Sequence, residues 1–519
     1  MKKIIGRVLF IIPGILLQIA WYFFFLWIVN DLLGGHLGDV LNLICGILAV
    51  LFVTSLVAKR DESAYKMLWI IVIVAMPILG AMMYLMLGNK KTGKKLKRKL
   101  EQSGEELKAE YSEGMIGLKD ETEENVRRIK EEDLRIGQIV GRVSDSSHFP
   151  VVANGTAKYY SFGQDMLPDL LEDLKKAKKY IFVEYFIIEH GKFWDSMIEV
   201  MAERVKDGVD VRVMYDDFGS LAKFSAKEAL ELRKQGIKCI PFNPFFSIKS
   251  QLNNRDHRKI TVIDGVVAYS GGVNLADEYI NEIHPYGVWK DLGFRLTGES
   301  VRSYTYMFAE FWNAFSREKI HRRLYDAPEL QYEETEVTDG YVLPYYDSPM
   351  REDHTSNELY VELLSMAKDY VWFYTPYLMP GDALFDAFLR AAKRGVDVRL
   401  LVPGIPDQKL PDRLAQTYYE DLLKAGVKIY IYTKGFVHAK ASLADDVIGT
   451  IGTVNLDYRS LFLHFECNSL FYKAKILKDL KADYQRTIEE CEELKLEALK
   501  HGRLRKFVDN LFRLLAPLM

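Results

Sequence analysis

The sequence predicts an α/β protein of two tandem sandwich domains related by a pseudo-two-fold axis, preceded by an apolar helical region held in a membrane. Three observations predict it. One block of chemistry-bearing residues occurs twice, strand and helix patterns alternate in the same order around both copies, and three long uncharged apolar runs precede them. Composition agrees with a membrane protein carrying a large water-facing portion. Its 519 residues suffice for two or three domains, and a net charge of -3 gives no overall pull toward nucleic acid. Cys45, Cys239, Cys467 and Cys491 have no paired spacing, which argues against a disulfide scaffold or a zinc site.

The apolar runs are residues 8–29, 40–57 and 67–87. A helix rises about 1.5 Å per residue, so about twenty residues cross a hydrocarbon core of about 30 Å. The middle run is the shortest. A cleaved signal peptide has a shorter apolar stretch with no hydrophobic segments after it, so the first run reads as an anchor. Pro77 in the third run either kinks a span or marks a re-entrant turn. Flanking charge sets a conflict. Lys2, Lys3 and Arg7 place the N-terminus in the cytoplasm, while Lys90, Lys91, Lys94, Lys95, Lys97, Arg98 and Lys99 place the exit of the third run there too. Three full spans cannot satisfy both, so one run is re-entrant or interfacial, or the weaker cluster loses. The stronger cluster adjoins the rest of the chain, which puts the catalytic region on the cytoplasmic side of an anionic membrane.

Residues 93–145 are dense in Glu, Lys and Arg, with apolar residues too sparse for a core; they read as a charged, partly helical stalk serving as a solvated connector. The expected organisation is therefore a membrane region over 1–92, this linker, a first domain over 146–330 and a second over 331–519. Residues 180–188 form a strand, 193–207 an amphipathic helix and 209–215 another strand; 370–375, 383–394 and 396–402 repeat the order. Each half continues with a helix, a short strand (238–240 and 428–432) and a final strand (260–263 and 441–444). Acidic and polar residues at 325–338 mark the join.

That final strand carries the repeated block. His257-Arg258-Lys259 is followed, after four intervening residues, by Asp264, and His438-Ala439-Lys440 likewise by Asp445. After each Asp six residues intervene before a small-residue turn ending in Asn: Gly271-Gly272-Val273-Asn274 and Gly452-Thr453-Val454-Asn455. In extended backbone, residues i and i+2 share a face, so each His and Lys converge. The turn allows close backbone approach, and each Asn offers an amide donor. Two His, two Lys and two Asn around one cavity suit a tetrahedral anion. Each half would supply half of one site.

These blocks resemble the phospholipase D superfamily. Further stretches narrow the resemblance to the bacterial cardiolipin synthases: Trp289-Lys290-Asp291 before Gly298, Phe308 and Phe311-Trp312; Tyr374-Thr375-Pro376-Tyr377 before Pro380; Arg394-Gly395-Val396-Asp397-Val398; and Asn455-Leu456-Asp457-Tyr458-Arg459-Ser460 ahead of Phe465-Glu466. The last residues, Arg513-Leu514-Leu515-Ala516-Pro517-Leu518-Met519, look like that family's ending, and the run at 67–87 looks like its hydrophobic hairpin. The resemblance covers nearly everything from about Lys66 onward. His464 departs from it, standing where the family often has Asn, and the strand after Lys440 is more polar than usual.

The resemblance implies two phospholipase D-type domains and a phosphodiester exchange through a phosphohistidine. It makes His257 the nucleophile and His438 the general acid and base, with Lys259, Lys440, Asn274 and Asn455 holding the phosphoryl oxygens. Glu466, which follows His438, and Asp291, its counterpart in the first half, are the expected orienting carboxylates. Asp264 and Asp445 complete the signature, more as supports of strand and turn than as reactants. The implied reaction moves a phosphatidyl group from one phosphatidylglycerol to another, giving cardiolipin and glycerol. A diester bond is conserved, so no cofactor, nucleotide or metal is expected. Phosphatidylglycerol and anionic lipids are the expected partners, and a bacterial cell membrane, crossed more than once, the expected location. A hydrolytic phospholipase D and a synthase of a related phospholipid are the nearest alternatives. A catalytically inactive membrane scaffold is disfavoured by two complete signatures, and a nuclease by basic residues that are not concentrated along the catalytic half. Lastly, Phe507, Leu511 and Leu514 or Leu515 form an apolar stripe beside Arg503, Arg505, Lys506 and Arg513. This helix either lies in an anionic interface or packs on the catalytic domain.

Overall fold

The computed structural model describes residues 23, 27, 34–59, 62–88, 93–153, 155–244, 253–321, 340–499, 508–509 and 511–516. In the first half, strands β1 (Ala157–Tyr160), β2 (Tyr180–Tyr185), β3 (Asp210–Asp216), β4 (Lys238–Phe242), β5 (Lys259–Ile263), β6 (Val267–Gly271) and β8 (Gly293–Thr297) form one sheet, and β7 (Val288–Lys290) lies apart. The second half has β9 (Tyr341–Asp347), β10 (Tyr370–Tyr374), β11 (Asp397–Pro403), β12 (Lys428–Tyr432), β14 (Ala441–Ala444), β15 (Ile448–Gly452), β16 (Glu466–Tyr472) and β17 (Cys491–Glu493) in its sheet, with β13 (Gly435–Val437) apart. Their orders, β1-β8-β6-β5-β2-β3-β4 and β9-β16-β15-β14-β10-β11-β12-β17, match strand for strand except for the added edge β17. Strands β2, β3 and β4 run parallel, while β5, β6 and β8 pair antiparallel; β10 to β16 repeat this.

The central strands are largely apolar and covered on both faces: every residue of β2 and β5 is buried. The two halves share a core. Phe294 of β8 meets Phe471 of β16 edge-on at 5.8 Å, and Phe311, on the helix Val301–Phe315, meets Phe465 at 5.0 Å. The halves also exchange backbone. Strand β13 pairs in parallel with β7, and Asp256 bridges Phe465 in the equivalent place. The join expected at 325–338 lies outside the described residues.

The segment expected to be a solvated stalk is packed instead. It forms helices α1 (Lys94–Glu132) and α2 (Leu134–Ser147), and Leu100, Leu107, Ile129, Ile136, Val140 and Val143 are buried in the common core. Ser103 Oγ donates to Glu310 O at 2.7 Å, and Asn125 Nδ2 to Val151 O at 2.8 Å. Apolar residues three, four or seven apart lie along one helical stripe, which is enough to dock a helix whose other faces are charged.

The third apolar run is a helical hairpin and not one continuous helix. Ser63–Ala75 ends at Met76, whose backbone leaves the helical region (φ -142, ψ 80) ahead of Pro77, since proline disfavours the helical conformation in the residue before it. Pro77–Met83 then folds back so closely that a Cβ on Gly80 would lie 2.5 Å from Val72 O. The hairpin rests on the second half: Tyr65 stacks on Tyr458 with centroids 5.7 Å apart, and Asp382 N donates to a Glu62 carboxylate oxygen at 3.0 Å. Ahead of it runs the helix Gly34–Val57. Among the described residues no helix is long and apolar enough to cross a membrane. The apolar run at 8–29 lies outside the described residues except for Phe23 and Trp27. In the expected C-terminal helix, residues 501–507, 510 and 517–519 are likewise outside. The described part docks on the helix Lys409–Ala425, with the Arg413 guanidinium 4.7 Å from the Phe512 ring and that of Arg513 4.2 Å from Tyr418, while Leu511 is 59% exposed.

Candidate active site

Both signature histidines stand just ahead of their strands, in segments gripped by the opposite half. His257 N donates to Phe465 O at 2.9 Å, and His438 N to Lys290 O at 2.7 Å. The next residue in each gripping segment is a carboxylate. His257 Nδ1 lies 2.9 Å from both oxygens of Glu466, and His438 Nδ1 lies 2.6 Å from Asp291 Oδ2. The orienting pairs therefore cross between halves, where chain order had placed Asp291 with the first His and Glu466 with the second. The parallel exchange of backbone puts residue 291 beside 438 and residue 466 beside 257, and neither half alone can orient its own histidine.

The lysines sit beneath. Lys259 Nζ donates to His257 O at 2.6 Å, and Lys440 Nζ donates to His438 O and lies 2.8 Å from its Nδ1. With Nδ1 closer to the Asp291 carboxylate than to the ammonium, that nitrogen carries the proton of His438, leaving Nε2 for chemistry. All four groups are nearly or fully buried. Burial lowers Lys259 to about 8, Lys440 to about 7 and His438 to about 4, with neighbouring lysine charge adding to the shift at Lys440 and His438. For Lys259 burial alone opposes the charge, and Glu466 and Asp291 resist the shift. For His438 burial and Lys440 lower the ring while Asp291 raises it; burial, Lys259 and Lys440 hold His257 well below the usual range.

The two carboxylates differ. Burial opposes ionisation of Asp291, but His438 and Lys440 outweigh it and hold the carboxyl below its ordinary range. Glu466 is pushed up by burial, although Lys259 and the hydroxyls of Ser460 (2.6 Å) and Thr453 (2.5 Å) act the other way. The turn residues account for part of this. A Cβ on Gly272 would fall 2.0 Å from Asp291 Oδ1, whereas the equivalent Thr453 puts its hydroxyl on Glu466.

Asp264 and Asp445, named in the signature as catalytic, do not meet the histidines. The Asp264 carboxylate accepts from the backbone N–H of Lys178, Lys179 and Tyr180 (2.7, 2.7 and 2.8 Å), and Asp445 from Lys368, Asp369 and Tyr370 (2.7, 3.0 and 2.8 Å). Both are at positive φ, 54° and 50°, in the tight turn after the signature strand. A short polar side chain tolerates that conformation and can cap the start of the neighbouring central strand. Their distance from the chemistry follows from strand length: four residues carry the chain from the histidine end to the opposite edge.

The asparagines are also less alike than their spacing suggests. Asn274 Oδ1 accepts from Ile187 N at 3.1 Å and its Nδ2 donates to Tyr279 OH at 2.8 Å, so the amide is tied to the fold at both ends. The Asn455 side chain bonds Asp457, and its Oδ1 is buried with no hydrogen-bond partner among the described residues. Sequence reasoning missed Ser460 and Thr453 as Glu466 donors, the ring of Tyr279 standing 5.3 Å from His438, and Asp483, whose carboxylate holds Lys290 at 2.8 Å. Only the Thr453 position carried a signal, as the one residue of its turn that differs in polarity from the first copy. Among the described residues no cluster of His, Cys, Asp and Glu could hold a metal ion.

The family model described as the cardiolipin synthase phospholipase D-like domain matches residues 170–312 and 360–488, one segment around each signature. The chain belongs to the cardiolipin synthase family. A second model, the phospholipase D-nuclease N-terminal region, matches residues 47–89. Among relatives, a cardiolipin synthase of Geobacillus sp. (strain WCH70) is 31% identical over 95% of this chain and 97% of its own length. A probable cardiolipin synthase of Bacillus subtilis (strain 168) is 31% identical over 87% of this chain and 88% of its own. An uncharacterized protein of Streptococcus mutans is 38% identical over 89% of this chain and 98% of its own. The fold is that of the phosphatidylserine synthase of Haemophilus influenzae Rd KW20, with a TM-score of 0.56 at 16% identity, covering 73% of this chain and 99% of that one. Membership makes this cardiolipin synthase-type chain an enzyme of the phospholipase D class.

Proposed function

We propose that the protein transfers a phosphatidyl group from one phosphatidylglycerol to the glycerol hydroxyl of another, forming cardiolipin and releasing glycerol. The observation that carries this is the pair of histidines, each held at Nδ1 by a carboxylate of the other half, over two buried lysines. His257 Nε2 attacks phosphorus, the P–O bond to glycerol breaks, and His438 delivers its proton to the departing oxygen. In the second step His438 takes the proton of the incoming hydroxyl, whose oxygen displaces His257 from phosphorus. One diester is broken and one formed, and both histidines return to their starting states.

The electrostatics favour this assignment of roles. His257, the more strongly depressed ring, stays neutral as a nucleophile must, whereas His438, held at about 4 in the empty site by burial and Lys440, is the ring that the ionised Asp291 raises, and an anionic diester bound beside it raises it further toward the imidazolium that the first step needs. Lys259 and Lys440 supply positive charge to the phosphoryl oxygens, and the anionic diester in turn favours their protonated forms. Asn455 Oδ1, a buried acceptor, suits the second, non-reacting hydroxyl of the acceptor glycerol, since the reacting hydroxyl gives its one proton to His438. The second N–H of Asn274 remains for a phosphoryl oxygen.

The N-terminal region holds this site at a bacterial cell membrane. Val40, Leu43, Ile47, Leu51, Met82 and Leu85 expose large apolar side chains on the helices ahead of the catalytic region, as a bilayer-facing surface would. A hairpin that enters and leaves on one side keeps the basic start of α1 on the face from which the chain entered. Purified protein given labelled phosphatidylglycerol should yield cardiolipin and glycerol, in excess chelator as well as without it. Phosphatidic acid and glycerol would instead make it a hydrolase. His257→Ala and His438→Ala should each remove nearly all turnover; half the activity surviving in either would mean two independent sites.

A further inference from the structure

His464 is unexplained by the two signatures. It lies between the short helix Tyr458–Phe462 and β16, where the chain runs extended beside the segment leading to His257. Asn254 N donates to Leu463 O (2.8 Å), Phe465 N to Arg255 O (2.9 Å) and His257 N to Phe465 O (2.9 Å). Alternate residues of an extended segment face one way, so His464 shares the face of Glu466, which holds His257. The His464 and His257 rings stand 6.4 Å apart, tilted by 37°, and both are nearly buried.

The backbone sets the form of the ring. Arg255 N donates to His464 Nδ1 at 3.4 Å, so Nδ1 is an acceptor and the proton of the neutral imidazole is on Nε2. Burial first, then Arg459, push this histidine down to about 3, with Arg255 adding to the shift and the Leu463 carbonyl resisting it. A ring that stays neutral near neutrality offers a hydrogen bond there and not a proton.

We propose that His464 Nε2–H donates a hydrogen bond to a non-bridging oxygen of the phosphoryl group that His257 attacks, a donor supplied to the first half-site by the second half of the chain. This rests on the phosphodiester chemistry above. Such a donor acts most strongly as charge gathers on the equatorial oxygens in the transition state. It therefore raises kcat and not ground-state binding alone.

Gln at this position places an amide N–H near the place of Nε2, whereas Phe keeps the ring volume without any donor. The measurements are turnover of phosphatidylglycerol and of bis(4-nitrophenyl) phosphate, the affinity for orthovanadate, the pH profile and the thermal midpoint. His464→Phe should lower kcat and kcat/KM together by about 100-fold on both substrates, counted per folded molecule because Arg255 N loses its acceptor and the midpoint falls, and weaken orthovanadate binding. His464→Gln should recover most of both losses and keep the wild-type pH profile. Wild-type kcat in His464→Phe would show that the ring only fills space. A His464→Gln enzyme as impaired as His464→Phe, with a displaced pH limb, would make the residue a proton carrier; either result overturns the proposal. If His464→Phe is unstable, His464→Met against His464→Gln gives the same comparison at equal length. Should the wild type cleave the simple diester yet form no cardiolipin, the lipid reading fails while the His464 comparison stands. Should it neither cleave the diester nor bind orthovanadate, both fail.

Discussion

Replacing Asp291 by Asn keeps the size of the side chain and removes the charge that meets His438. The carboxylate cannot swing away, since it is wedged against Gly272 and accepts from Leu292 N at 2.8 Å. An amide that keeps the Leu292 bond must turn its NH2 toward His438 Nδ1. The imidazole then takes the wrong tautomer, with its proton on Nε2, and cannot serve as base in the second step. Loss of one charge-assisted hydrogen bond is worth about 1.5–3 kcal/mol, which is about 10- to 150-fold in rate, and the tautomer change adds to it. His438, at about 4 with Asp291 ionised, falls further without it. The assay compares initial rates on phosphatidylglycerol and on a 4-nitrophenyl diester, whose leaving group needs no proton. The first step should recover on the activated diester, so an adduct accumulates on His257 and is seen by mass spectrometry. An Asp291→Asn enzyme close to wild type on phosphatidylglycerol, or one equally impaired on both substrates, would refute the crossed assignment.

Lys440 at about 7 and Lys259 at about 8 lose charge as pH rises through those values, so kcat/KM should fall on an alkaline limb there. At saturating substrate the bound anion raises both, and the limb in kcat should move upward. The same depressed values mean that the unfolded chain holds more protons than the folded one from about pH 7 to the usual lysine range. These two groups therefore make the substrate-free protein more stable as pH rises through that window, checked by thermal midpoints in the absence of anions. Asp264→Ala should lower stability by about 3 kcal/mol, because three backbone donors lose their acceptor, while the rate per folded molecule below the midpoint is retained. Asp445→Ala should cost less, since Lys368 N and Asp369 N are exposed to water. Leu511→Asp should leave the midpoint near wild type and lower activity on vesicles far more than on monomeric short-chain phosphatidylglycerol; equal loss on both would assign Leu511 to the fold.

The repeat, the strand and helix alternation and the four signature residues His257, Lys259, His438 and Lys440 were legible because their information is local. A strand four or five residues long, an i, i+2 pair and a Gly-rich turn each follow from adjacent chain. The packing of the segment at 93–145 was not legible, because a docking stripe of a few apolar residues looks sparse until its partner, here Glu310 and the surrounding core, is in place. The Met76–Pro77 break was marked in the sequence, but whether it kinks or reverses the chain depended on Gly80 meeting Val72.

By itself the sequence determined that two equivalent half-sites exist and which side chains could do phosphoryl chemistry in each. Only the tertiary structure decided how those halves complete one another. Which carboxylate meets which histidine depends on the parallel exchange of β7 with β13 and of Asp256 with Phe465, contacts between residues more than 140 positions apart. It likewise gave Asp264 and Asp445, read from the sequence as supports of strand and turn, their backbone partners at the far end of the strand, and brought His464 beside His257. The physical reason is that a hydrogen bond or a pKa is set by distance and burial in space, and a chain of one dimension records neither until it has folded.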